Sequence, residues 1–188
     1  AGHGVYGTGG AIDRGAVSTI DPSFDEVDFN TYVAQKLRDK LVAAGATVIM
    51  IREDENPINM SLYERSVIAN SNNADAFIEI HGDSAGSSAS GIGTWAYIDS
   101  ARLTSSAQVD MRNEFASVMN QALNGATGEP AYVKYGNFSV IRETEVPCVL
   151  IECGFLSNAH DLALLKSEAY WEKLAQGMYN GLYNFFSY

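Results

Sequence analysis

Residues 148–151 read Cys-Val-Leu-Ile, with no polar side chain on either alternating face. As a strand, such a run needs apolar cover on both sides, which points to a sheet with layers above and below it. The flanking pattern agrees. From Glu26, Val27, Tyr32, Val33, Leu37, Leu41 and Val42 recur at helical spacing, and Gly45 closes that helix. Residues 47–51 (TVIMI) follow as an expected strand. Ser61 with Glu64 three positions on forms a capping box that opens a helix to about Asn70. Residues 76–80 (AFIEI) and 93–98 (GTWAYI) read as strands, and 105–123 as a long helix. Residues 138–142 (FSVIR) and 148–152 (CVLIE) read as two more strands joined by a short turn. A last helix covers 169–186, with Trp171, Leu174, Met178, Leu182 and Phe185 on one face. This alternation predicts an α/β fold with a largely parallel central sheet flanked by helices on both faces. The first 20 residues hold six of the 17 glycines and read as a loop. No repeat or linker divides the 188 residues, so one domain over residues 1–188 is expected.

Charge and composition remove several classes. A net charge of −11 repels polyphosphate, so nucleic acid is not an expected partner. No apolar run approaches a membrane span. The chain opens on AGHG rather than on a basic and then apolar leader, as a mature or excised domain also would. Cys148 and Cys153 are five positions apart, so in a strand they point to opposite faces. Both are expected as free thiols packed like small hydrophobes.

The chemistry starts at Glu152, which closes the apolar run. Burying an unpaired carboxylate costs several kcal/mol, roughly, so Glu152 is paired, protonated or poised for reaction. An internal salt bridge to Arg142 or Arg65 is one solution. His81 follows the strand at 76–80, and in α/β sheets ligands bind beyond the carboxyl ends of strands, so both groups are expected to face one crevice. His3 lies between two glycines that allow close approach. Glu26 begins the first long helix, where a carboxylate also suits the helix dipole, and Asp25 and Asp28 compete with it. Two imidazoles and one carboxylate make a hydrolytic zinc site with a fourth position open to water.

Four stretches in order resemble the zinc-dependent N-acetylmuramoyl-L-alanine amidases of bacterial cell-wall hydrolases and phage lysins. GHG with DRGA at 13–16 resembles that family's opening Gly-His-Gly and its Asp-x-Gly-Ala. EVDFNTYVAQKL at 26–37 resembles its glutamate-led helix. ERSVIANSNNADAFIEIHGDS resembles its Arg-x-x-x-Ala-Asn helix running into a strand that ends in Ile-His. VIRETEVPCVLIECGFLSN resembles its closing Pro-x-x-Leu-x-Glu-x-Gly-Phe-x-Asn.

Residue by residue, the resemblance implies one zinc ion on His3, Glu26 and His81, with Glu152 as catalytic acid and base. The implied substrate is the amide joining N-acetylmuramic acid to the L-alanine of the peptidoglycan stem. The implied place of action is the bacterial wall, from an extracellular enzyme or a phage-encoded one. No serine or cysteine nucleophile is required, and Cys153 is expected to be a packed thiol. Three departures stand out: the chain begins where the family carries an apolar strand, GVYGTGGAID is longer than the family's loop, and IHGDS replaces Ile-His-x-Asn. Asp83 is therefore expected to face substrate or to stand behind the ligands. Arg52, Arg65 and Arg142 fall on family-like positions. Arg65 is expected in an ion pair tying helix to strand, and His160, at the start of a short helix, is assigned no chemistry. Two other functions compete: a zinc peptidase or amidohydrolase of related fold, and a wall-binding module without turnover. An acidic domain meeting an anionic wall also implies a separate targeting module or partner.

Overall fold

The computed structural model describes residues 1–6, 11–54, 56–99, 103 and 105–187. The glycine-rich opening forms a two-stranded antiparallel ribbon, β1 (Val5–Tyr6) against β2 (Ile12–Asp13), where only a loop was expected. Part of the long GVYGTGGAID loop lies outside the described residues. Two helices follow, α1 (Val27–Ala43) and α2 (Leu62–Ser71). The capping box of α2 is present: Ser61 Oγ accepts from the Glu64 N–H, and Glu64 accepts from the Ser61 N–H.

Next come β3 (Phe77–Asp83), β4 (Ile92–Ala96), α3 (Ser106–Thr127), β5 (Ala131–Tyr135), α4 (Ser139–Glu143) and β6 (Cys148–Phe155). The chain continues through α5 (Ala159–Leu165) and α6 (Glu168–Phe186). The four long strands form one sheet in the order β3-β6-β4-β5, with β3/β6 and β4/β5 parallel and β4/β6 antiparallel. The sheet is therefore largely parallel, with helices on both faces.

Alternation along the strands sorts the side chains into two layers. Ile80, Val149, Ile151, Cys153, Ile92 and Ala96 face α1, α3 and α6, meeting Phe29, Val33, Phe115, Met119, Leu174 and Met178. Phe77, Cys148 and Leu150 face the other way, towards Ala69 of α2 and Val140 and Ile141 of α4. The two free cysteines are thus buried on opposite faces. Glu79, His81, Glu152, Gly93, Trp95 and Lys134 share the α2/α4 face by register.

Two expected strands are not strands. Residues 138–142 form most of α4, and Arg142 N–H donates to the Phe138 carbonyl. An extended chain would send Val140 and Ile141 to opposite faces, whereas a helical turn lets both enter the same cluster. Here packing overrides the β-branched propensity. Residues 47–51 are not assigned to a strand either. They border an apolar groove of about 620 Å³, with Leu37 and Leu41 of α1 and Ile78 and Ile80 of β3 on its other walls. The groove separates the segment from β3, and no ladder pairs the two. Strand β5 was not expected; Tyr132 and Tyr135 leave it half-open to solvent, which hides the apolar pattern.

Helices α3 and α6 approach closely because α6 carries glycines at a four-residue interval. A Cβ on Gly177 would lie 3.0 Å from Leu123 Cα, and one on Gly181 would lie 2.6 Å from Met119 Sδ. Replacing Gly177 by leucine should therefore destabilise the fold by about 1–3 kcal/mol through overpacking, read as a lower urea midpoint. An unchanged midpoint would show that the helix pair has slack.

Candidate metal centre and cleft

His3 is held by its neighbours rather than by a regular element. The Gly2 N–H donates to the Ile80 carbonyl at 2.8 Å, and the Gly4 N–H donates to the Asp13 carbonyl at 2.8 Å. Between these anchors His3 takes φ 47°, a left-handed conformation that costs a non-glycine residue energy and is held only by surrounding contacts. Its Nδ1 lies 2.9 Å from Asp13 Oδ2, which leaves Nε2 turned towards Glu26 at 3.6 Å from Oε2. Burial pushes the Asp13 carboxyl up, but hydrogen bonds from His3 and the Gly15 N–H outweigh it and hold the carboxyl below its usual value.

Glu26 stands at the N-terminus of α1 and is 1% exposed. Its Oε2 accepts from the Ala16 N–H at 3.1 Å. Gly15 makes this approach feasible: a Cβ there would lie 2.3 Å from Oε2 and 2.7 Å from the His3 ring. Oε1 lies 2.6 Å from His81 Nδ1, yet it receives no well-directed hydrogen bond and is an orphaned buried oxygen. The competing carboxylates are used elsewhere. Arg14 pairs with both Asp25 and Asp28, at 2.8 Å for Asp28, and Asp25 Oδ1 also accepts from the Val27 N–H.

His81 lies inside β3 rather than after it, next to Glu152 of β6 in the parallel register. Gly2 packs against its ring, where a Cβ would come within 2.1 Å. The His3 and His81 rings meet edge to face, 5.0 Å between centroids. One donor atom from each of His3, Glu26 and His81 lies within 4.8 Å of the others, the one such group of histidine, cysteine or acid side chains among the described residues. Ligands of a tetrahedral ion with ~2.0 Å bonds are about 3.3 Å apart, so these donors need only small adjustments to hold one. The orphaned Glu26 Oε1 and the nitrogen-rich donor set fit a divalent cation of the zinc class. Without metal, burial would lower the His81 pKa, but Glu26 and Glu79 outweigh it and raise it to about 10.

Glu152 lies within β6 rather than at its end. Neither arginine proposed as its partner reaches it: Arg65 pairs with Glu79, and Arg142 with Glu143 and Asn137. Its Oε2 is buried without a hydrogen-bond partner. Burial raises the carboxyl pKa to about 8; His81 opposes the rise, Glu26 and Asp83 add to it, and Lys134 opposes it. Gly93 lies across the ladder from Glu152, and the Trp95 indole packs beside it: a Cβ on Gly93 would lie 3.2 Å from Trp95 Nε1. Beside His3 and His81 a cleft of about 370 Å³ is lined by Val5, Met60 and Leu62 and by the polar Asp13, Asn59, Ser61, Glu64 and Arg65. The larger apolar groove behind β3 contains none of these groups.

Asp83 ends β3, where its Oδ1 accepts from the Ser84 N–H. The Cys153 thiol is buried and its pKa is raised by desolvation, so it is not a poised nucleophile. His160 lies on the surface, 3.0 Å from Glu129. Sequence reasoning missed Asp13 as the partner of His3, Lys134, and Glu79. Glu79 was accessible, because two-residue alternation in FIEIH puts it on the same face as His81. Asp13 gave no such signal, since its position follows from the β1/β2 ribbon.

The chain is similar in sequence and in fold to known proteins. The sequence profile of a family described as N-acetylmuramoyl-L-alanine amidase matches residues 1–184. The chain is 34% identical to the "Uncharacterized protein YqiI" of Bacillus subtilis, over 94% of this chain and 81% of that one. It is 32% identical to the "Probable cell wall amidase LytH" of Staphylococcus aureus, over 95% of this chain and 56% of that protein's length. Its fold is similar to the catalytic domain of CwlV, an N-acetylmuramoyl-L-alanine amidase from Bacillus (Paenibacillus) polymyxa var. colistinus. The TM-score is 0.81 at 33% identity, covering 93% of this chain and 92% of that one.

The raised Glu152 pKa has a testable sign. Below about 4.5 the carboxyl is protonated in both folded and unfolded chains; from there to about 8 only the folded chain holds the proton, and the cost of ionising the buried group accumulates. In chelator, Glu152→Gln should raise the melting temperature more at pH 9 than at pH 5. A gain independent of pH would contradict this.

Proposed function

Because the chain belongs to the N-acetylmuramoyl-L-alanine amidase family, we propose that residues 1–188 act as one catalytic domain cutting peptidoglycan between N-acetylmuramic acid and the stem L-alanine. His3, Glu26 and His81 hold one zinc ion, and Glu152 is the acid and base. The observation that carries this reading is the convergence of those three donors beside an unpaired buried carboxyl.

Zinc bound at these donors supplies Lewis-acid polarisation of the scissile carbonyl and lowers the pKa of water. The protein supplies the rest. The Asp13 carboxylate and the Ala16 N–H fix His3 and Glu26 so that their donor atoms face one point. With a divalent charge at the neighbouring donors favouring its ionised form, Glu152 would take a proton from the attacking water at Oε2, which has no competing hydrogen bond, and deliver it to the departing amide nitrogen. Burial strengthens its hold on that proton, and the Lys134 charge moderates the effect. The cleft beside His3 and His81, lined by Val5, Met60 and Leu62 together with the polar Asn59, Ser61 and Glu64, is where the sugar–peptide junction would lie. Asp83, whose Oδ1 accepts from the Ser84 N–H, faces substrate or stands behind the ligands rather than holding the ion.

The enzyme acts on the wall, outside the cytoplasmic membrane; among the described helices none is long and apolar enough to cross a bilayer. A net charge of −11 disfavours adhesion to anionic wall polymers, so a targeting module or partner brings the domain to its substrate.

Incubation with purified peptidoglycan should release new free L-alanine amino termini. Glu152→Gln should lower the rate at least about 10²-fold with zinc still bound. A different new terminus would identify a peptidase, and wall binding without any new terminus would identify a non-catalytic module.

A further inference from the structure

The ion pair between Arg65 and Glu79 is buried more completely than a link between helix and strand requires. Arg65 is 1% exposed and Glu79 2%. Burying both charges gains little over two well-packed apolar side chains, so such a pair is weak evidence of a purely stabilising role. Its contacts lie on the two histidines. Arg65 Nη1 donates to Glu79 Oε1, and Nη2 donates to the His3 carbonyl at 3.2 Å, the peptide that carries the strained φ. The same Glu79 Oε1 lies 3.4 Å from His81 Nε2, while the opposite ring nitrogen, Nδ1, lies 2.6 Å from Glu26. Glu79 Oε2 is buried without a hydrogen-bond partner.

We infer that Glu79 and Arg65 are positioning residues for the metal centre: Glu79 holds the His81 ring with its proton on Nε2 and its Nδ1 lone pair towards Glu26, and Arg65 ties that carboxylate to the His3 backbone. His81 then has a carboxylate behind one nitrogen and the ligand position in front of the other. His3 repeats the arrangement with its nitrogens exchanged, Asp13 behind Nδ1 and Nε2 in front. A carboxylate behind a ligating imidazole fixes its tautomer and orientation and raises its basicity. Because Arg65 bonds both Glu79 and the His3 carbonyl, displacing Glu79 also frees the guanidinium that steadies His3. The inference rests on the zinc site proposed above.

The test separates positioning from packing. In the double variant Arg65→Met with Glu79→Leu, both charges leave together and the volume stays filled. We expect the chelator-stripped double variant to melt close to wild type, while its Zn2+ affinity, measured by competition with a chromogenic chelator, falls about 10–100-fold. The visible spectrum of the Co2+-substituted protein should change as well. A folded double variant with wild-type Zn2+ affinity and an unchanged Co2+ spectrum would overturn the inference. A second measurement needs no variant: in the zinc-loaded wild-type protein, the His81 ring 15N resonances should show a protonated Nε2 and a metal-bound Nδ1. The reverse assignment would overturn the inference while leaving the zinc site standing. Failure of the zinc site itself has a different signature, no Zn2+ uptake by wild type, and takes this inference with it.

Discussion

The molecule is organised around a carboxylate placed where water scarcely reaches. Glu26, 1% exposed, has one oxygen on the Ala16 N–H and the other beside an imidazole. An unpaired charge in such a place costs several kcal/mol, roughly, and the surroundings are arranged to offset that. Gly15 has no side chain to block Oε2, and Gly2 lies flat against His81. The Gly2 peptide is the point where three parts of the chain meet. Its N–H donates to Ile80 of β3, and its carbonyl accepts from Asn30 of α1 and from Arg52. Three donors 23 and 55 positions apart in sequence reach one point because this peptide fixes the opening segment against both the sheet and the first helix.

The two faces of the sheet divide the work. The face towards α1, α3 and α6 is apolar from Ile80 to Cys153 and holds most of the core. The other face is covered by α2 and α4 only where Phe77, Cys148 and Leu150 lie. Further along the same strands that face turns polar, with Glu79, His81 and Glu152 in adjacent rows of the β3/β6 pair. Glu152 Oε2 is buried there without a hydrogen-bond partner.

Much of this was legible in the sequence. Helical periodicity located α1, α3 and α6, and the Ser61–Glu64 capping box located the start of α2. The double-faced apolar run located β6. What failed were short apolar stretches whose state depends on a neighbour. VIR became α4 because two adjacent apolar residues had to enter one cluster, and residues 47–51 found no adjacent strand. The histidines and Glu26 could be singled out by type, but nothing in their spacing required them to meet; the resemblance suggested it, and the geometry brings them together. Glu79 was within reach of the same reasoning: alternation along FIEIH puts it on the His81 face, and the structure finds it both paired with Arg65 and 3.4 Å from His81 Nε2.

The central claim is that His3, Glu26 and His81 grip a single divalent ion. Calorimetric titration of chelator-stripped protein with Zn2+, beside Glu26→Gln, tests it most directly. The account predicts one zinc per wild-type chain and a loss of affinity by orders of magnitude in the variant. Equal affinity in both proteins would contradict it.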